Sequence, residues 1–295
     1  MSVKELSSSP GMRTLYPKAA LGSIEAPLRR LPVLGSLVGG GDGTLPDTEL
    51  VLAEVEIDRE HLIEYKRICG FPYSDEVPAT YPHNIAFPLA MQIMTDRSFP
   101  FPVIGMVHIE NRITQLRPLK QHQWLTMRVR ADDLAEHDKG TQFDIVAEAS
   151  VGDEPVWRSR STYLHREGGS GGADKKKQSE EPPEPDDVWD VPSDIGRRFA
   201  AISGDRNPIH MHPVAARLFG MPGMIAHGMW LKGRCLATFA HELPDAYSVG
   251  ARFKVPLKIP ARVEFATWRE GPERRFAVHD EKSGKPHLTG GLEPS

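Results

Sequence analysis

The chain has 295 residues, 39% of them hydrophobic and 26% charged, with a formal net charge of −4 at pH 7, enough for two ordinary domains or one large one, with a real core. No lysine- or arginine-rich stripe carries interleaved aromatics, which argues against a nucleic-acid partner, and no apolar run approaches the roughly 20 residues of a membrane span. Cys69 and Cys235 are far apart in sequence and make neither a metal-type pair nor a disulfide framework, which fits a reducing compartment, the cytoplasm.

In chain order, residues 1–49 read as an extended arm on the domain surface. Lys4, Glu5 and a serine run stand where a secretory signal would need an apolar core. The stretch GMRTLYPKAALGSIEAPLRR is only faintly like a transit peptide, and LPVLGSLVGGG is too short to span a bilayer. Residues 50–165 form a first domain: a short helical stretch ending in YKRICG, an apolar segment AFPLAMQIMTD, then the strand-like QWLTMRVRADDL, TQFDIVAEASV and VWRSRSTYLHR joined by Gly/Asp turns. Pro72, Pro78, Pro82 and Pro88 argue against a long helix in the apolar segment. Residues 166–187, REGGSGGADKKKQSEEPPEPDD, contain no large apolar side chain and read as a disordered linker.

Residues 188–295 repeat the plan of residues 50–165. FAAISG matches YKRICG, IAHGMWL matches IAFPLA, and VPLK matches RPLK, in the same order and at similar spacing. HGMWLKGRCLATFAHEL is apolar on nearly every face and reads as a buried helix. ARVEFATWRE, FAVHDE and PHLTGG follow as strands. The expected class is α+β, with an antiparallel sheet wrapped around a long central helix in each half.

The stretch SGDRNPIHMHP, from Ser203 to Pro213, carries the chemistry. In a helix, Asp205 and His210 would lie about 140° apart. Pro208 disfavours helix at Asn207, so GDRNP reads as a turn that folds Asp205 and His210 towards one point. An imidazole that titrates near neutrality beside a carboxylate is an acid/base pair. In AHGM, the amide of Gly228 opens the buried helix, where N–H groups lack intrahelical acceptors and favour negative charge. An oxygen that becomes anionic, such as that of a thioester enolate, would be stabilised there. HMH, with Asp205 and His227, also offers metal-type ligands, but the alternation suits a strand rather than a turn, so no metal is expected. His212 reads as a cap or surface residue ahead of Pro213.

SGDRNPIHMHPVAA followed by HGM resembles the hydratase 2 motif of MaoC-like (R)-specific enoyl thioester hydratases and dehydratases. The two-part plan is similar to the double hot-dog members, from about Leu50 onward and without the linker. The resemblance implies a double hot dog, and reversible dehydration of (3R)-hydroxyacyl thioesters to trans-2-enoyl thioesters in fatty-acid metabolism. It implies Asp205 and His210 as the catalytic dyad and the Gly228 amide as the oxyanion donor. Asn207 and His227 would support them, and Ile202, Met229 and Phe253 would bind substrate. No cofactor is implied. The partner is an acyl-CoA or acyl carrier protein thioester, and the assembly a monomeric pseudo-dimer or a homodimer.

The first half departs from the motif. Phe71 stands at the aspartate's place, and Phe87-Pro88 replaces His227-Gly228, so one working site per chain is expected, with the first half open to a long or bulky acyl chain. The alternatives are a hot-dog thioesterase and a non-catalytic acyl-thioester binding subunit.

Overall fold

The computed structural model describes residues 1–19, 43–103, 105–166, 183–221 and 223–295. Most of the expected linker and residues 20–42 of the arm lie outside the described residues.

Among the described residues, eleven strands form one sheet in the order β1 (Ser2–Leu6), then β2-β6-β7-β8-β4-β10-β13-β12-β11-β9. The first half supplies β2 (Thr48–Val55), β4 (Val107–Gln115), β6 (Leu125–His137), β7 (Gly140–Val151) and β8 (Glu154–Arg166). The second supplies β9 (Asp187–Val191), β10 (Tyr247–Phe253), β11 (Ala261–Glu270), β12 (Glu273–Asp280) and β13 (Pro286–Pro294). Read outward from the seam, β4-β8-β7-β6-β2 on one side mirrors β10-β13-β12-β11-β9 on the other. Each half is an antiparallel sheet against one buried helix, so the chain is a double hot dog. Short turns set the register. Gly152 and Gly271 supply the positive φ, 57° and 61°, that the β7–β8 and β11–β12 hairpins require.

The seam is the antiparallel β4–β10 pair, from Tyr247 opposite Gln115 to Arg252 opposite Glu110. Arg252 is ion-paired with Glu110 at 3.0 Å. Beneath the seam lies Lys232, fully buried, whose Nζ donates to the carbonyls of Asn111 (3.1 Å) and Val249 (3.0 Å) and to the Asn111 side chain. Three acceptors for three N–H groups make a buried ammonium tolerable, and they come from both halves.

The helices follow the duplication. α1 (Arg59–Cys69) and α3 (Ile195–Ser203) end on the left-handed glycines Gly70 (φ 84°) and Gly204 (φ 75°). The small ladder β3 (Glu76–Val77) with β5 (Leu119–Lys120) has its counterpart in the Ile225–Lys258 bridge. The central helices are α2 (Pro82–Met94) and α6 (Gly228–Thr238).

Here two expectations are corrected. Despite four prolines nearby, α2 is a helix of 13 residues, longer than α6. Pro82 occupies its first turn, where an N–H would be unpaired anyway. Pro88 sits inside and costs about 3 kcal/mol, but nine of the 13 residues are buried, and each large apolar side chain returns about 1.5–3 kcal/mol. Burial wins. Aligning the helix starts also moves the counterpart of His227-Gly228 from Phe87-Pro88 to Tyr81-Pro82. A proline still stands where the glycine amide would be.

The arm is not merely a surface appendage. β1 (Ser2–Leu6) pairs in parallel with β2 and covers that edge of the sheet. Residues 12–19 are helical and bury Leu15 and Ala19 in the core. Among the described residues, no helix is long and apolar enough to cross a membrane.

Candidate active site

Three elements converge on the carboxylate of Asp205. α3 stops at Gly204 and releases the chain into Asp205-Arg206-Asn207. Asn207 then caps a single helical turn, α4 (Pro208–Met211), by accepting from the amide of Ile209 (3.3 Å). His210 thus sits in one turn of helix rather than in the expected open turn. Gly196 explains how close α4 can come: a Cβ there would lie 2.4 Å from the His210 carbonyl oxygen. His212 caps the next helix, α5 (Pro213–Leu218), accepting from the Val214 amide.

The imidazole of His210 is buried, and its Nδ1 lies 2.8 Å from the carbonyl oxygen of Ile225. A carbonyl only accepts, so Nδ1 carries the proton and Nε2 keeps a lone pair. That lone pair faces Asp205 Oδ2 at 3.9 Å, too long for a direct bond and suited to one bridging water. Burial lowers the pKa of His210 against the opposing pull of Asp205, so the ring is neutral at pH 7. Asp205 has the reverse balance. Burial raises its pKa, but His227, His210, the Asn207 amide and a tyrosine hydroxyl together hold it below the ordinary carboxyl value.

His227 braces this pair. Its Nε2–H donates to the main-chain carbonyl of Asp205 (2.9 Å), and its ring stacks on His210 with centroids 3.6 Å apart. Burial pushes its pKa down to about 3. Asp205, His210 and His227 have the side chains of a metal site, but the donor chemistry does not fit one well. The His227 nitrogen nearest Asp205 donates its proton to a carbonyl and so has no lone pair for an ion.

Gly228 is the first residue of α6, so its amide has no intrahelical acceptor. A Cβ at this position would sit 2.7 Å from the ring of Phe253. Glycine is therefore required for packing as well as for ligand approach.

These groups open into one cavity of about 200 Å³. Asp205, Asn207, His210, His227, Gly228, Met229 and Phe253 all border it. Ile202 does not. Phe199 and Ser203, four residues apart on one face of α3, take its place, while the Ile202 carbonyl accepts from His61 Nε2 at 2.8 Å. The far wall comes from the first half: Phe87, Met91 and Met94 of α2, then Met106, His108 and Tyr163. Burial depresses His108 to about 3 and the neighbouring His83 to about 4. Four buried side-chain atoms lack a partner among the described residues, on Asn84, His108, His227 and His287, and all four residues border this cavity. The other group missed from sequence is Tyr16, whose hydroxyl lies 3.1 Å from Asp205 Oδ1. A separation of 189 residues leaves no local pattern to reveal it.

Comparison with known proteins agrees with this geometry. Residues 174–290 match the MaoC like domain. The chain is 36% identical over 249 residues to 3-hydroxyacyl-thioester dehydratase X of Mycobacterium tuberculosis, covering 83% of this chain and 89% of that one. The crystal structure of that organism's HtdX superimposes with a TM-score of 0.76 at 34% identity, over 84% of this chain and all of that one. A MaoC-like dehydratase from Phytophthora capsici, 19% identical, shares the fold with a TM-score of 0.66 over 86% and 96% of the two chains.

Proposed function

Since this chain belongs to the MaoC-like dehydratase family, we propose that it interconverts (3R)-hydroxyacyl thioesters and trans-2-enoyl thioesters through Asp205 and His210. It is a hydro-lyase. In hydration, a water held between Asp205 Oδ2 and His210 Nε2 adds its oxygen to C3 of the enoyl group. One proton passes from the water to the dyad, and the dyad returns a proton to C2. Negative charge that develops on the thioester oxygen meets the Gly228 amide at the head of α6. Dehydration runs the same steps backward. No atom of the reaction needs a cofactor.

The observation that carries this reading is the tautomer of His210. With Nδ1–H given to Ile225, the remaining lone pair and the carboxylate lie 3.9 Å apart, where one water at the apex of a bent bridge can donate to both. The apolar wall of α2 would receive the acyl tail, so the first half completes in one chain what a partner subunit would supply. The thioester carrier is CoA or an acyl carrier protein, and two buried free cysteines fit a cytoplasmic setting.

The test is hydration of trans-2-enoyl-CoAs of several chain lengths, with chiral analysis of the product. Formation of the (3R)-hydroxyacyl-CoA is expected. Release of free thiol without hydration would turn the assignment to a thioesterase, and binding without turnover to a binding subunit.

A further inference from the structure

Asp205 has two oxygens, and they are treated differently. Oδ2 faces the histidines, 3.9 Å from His210 Nε2 and 3.8 Å from His227 Nε2. Oδ1 takes two donors, the amide of Asn207 at 3.1 Å and the hydroxyl of Tyr16 at 3.1 Å. The first is local, two residues away in the same turn. The second comes from the N-terminal segment, outside both hot-dog halves and outside residues 174–290 of the family match.

The Tyr16 hydroxyl has little freedom. The amide of Arg206 donates to its oxygen, which directs the single hydroxyl proton elsewhere. Two acceptors are within reach, Asp205 Oδ1 at 3.1 Å and the carbonyl of Gly204 at 3.3 Å. The charged and nearer acceptor is preferred. Burial, reinforced by the Asp205 charge, raises the phenol far above its ordinary pKa, so the proton stays on the oxygen through any working pH. Tyr16 is held in place from behind. Met12, Leu15, Tyr16 and Ala19 share one face of the helical stretch 12–19. Leu15 and Ala19 are buried, and Met12 lies 3.4 Å from where a Cβ of Gly204 would be. Tyr16 and Ala19 both border the cavity.

We propose that Tyr16 is a positioning residue of the active site: its hydroxyl pins Oδ1 of Asp205, so that Oδ2 alone is presented to the water between Asp205 and His210. The N-terminal segment is then a working part of the site that neither half of the duplication provides. This rests on Asp205 being a member of the dyad, as proposed above.

Tyr16→Phe keeps the ring and removes only the oxygen. Loss of one hydrogen bond to a charged group is expected to lower kcat by roughly 10- to 100-fold, with KM for a trans-2-enoyl-CoA changed by less than about twofold because the ring that borders the cavity is kept. Without this donor the Asp205 carboxyl pKa rises, so the acid limb of the kcat profile moves to higher pH. A purely structural role would lower the melting temperature and leave that limb in place. The carboxyl titration of Asp205 is also read without turnover, from carboxyl-13C aspartate with Asp205→Asn assigning the resonance. A midpoint at higher pH in Tyr16→Phe supports the proposal even if the chain hydrates no enoyl thioester tested, a failure that would fall on the functional reading alone. Identical titration in wild type and variant overturns it, as does a variant with wild-type kcat and an unmoved acid limb.

Discussion

At the end of α3 the chain turns through Gly204 and presents Asp205. At the end of α1 it turns through Gly70, with nearly the same φ, and presents Phe71, buried in the core. At the head of α6 stands Gly228, with an amide to offer, and at the head of α2 stands Pro82, without one. The backbone plan is present in both halves, while the proposed reacting groups are present in one. Backbone geometry is over-determined by the sheet and the core, so every strand that drifted would break several pairings at once. A catalytic side chain is held by few neighbours and can be lost without unfolding its half. The first half remains necessary because its β4 pairs with β10 along the seam, its Asn111 satisfies the buried Lys232, and its α2 walls the cavity.

The largest losses are expected from removing what the second half retains. Asp205→Asn and His210→Ala are each expected to lower kcat/KM by about 10²–10⁴-fold, whereas Phe71→Leu should leave it near wild type. Steady-state hydration kinetics check both, and a Phe71→Leu loss as large as that of Asp205→Asn would deny that the halves differ in role. Next in size is Gly228→Ala. The added Cβ overlaps the Phe253 ring, so overpacking of about 1–3 kcal/mol should lower the melting temperature, and displacement of the proposed oxyanion amide should lower kcat by roughly 100-fold. Phe253→Leu in the same chain should restore part of each.

The first half's contribution is sharpened by bulk at Met91. Ala86 and Ala90 are buried but do not border the cavity, whereas Met91 does. In Met91→Trp, long enoyl-CoAs should lose about tenfold in kcat/KM and crotonyl-CoA less than about twofold, since each buried methylene is worth roughly 0.8 kcal/mol. Equal loss on both would reduce the first half to structural support.

Acid should affect both halves. His83, His108, His210 and His227 are kept neutral by burial, with pKa values below the ordinary histidine value and as low as about 3 for His108 and His227. Unfolding lets them take up protons below about pH 6.5. Their stabilising contribution is therefore complete above that pH and is lost as pH falls towards the folded values. The melting temperature should drop from pH 7 to pH 5, and His108→Phe should soften the drop. A flat profile would show these rings to be hydrated. The smallest effect is expected between the halves. Replacing Gly169–Glu184 with a flexible segment of equal length should change neither melting nor turnover, because that composition has nothing to pack.

Much of this was legible in the chain itself. Gly204-Asp205, Asn207-Pro208, His210 and His227-Gly228 lie within 25 residues, and a glycine, a proline and a cap constrain the backbone through local sterics alone. The duplicated helix ends were legible for the same reason, since Gly70 and Gly204 mark positions where few other residues fit. The strands that make the seam were not. β4, VHIENRITQ, and β10, YSVGARF, mix polar and apolar residues because each is completed by the other. Helix α2 is hidden for a related reason: proline's local cost is visible in sequence, while the burial that outweighs it is not.

Legible in the chain alone were therefore the duplication, from matched segments in the same order, and the proposed reacting pair and glycine amide, from a turn and a helix start set by residues close in sequence. Only the tertiary structure decided which nitrogen of His210 keeps its lone pair, since that depends on the carbonyl of Ile225. It alone made the first half the cavity wall, and it alone brought Tyr16 to Asp205 across 189 residues. Contacts at such separations are selected by how the core and sheet close, and they leave no periodicity along the chain from which to read them.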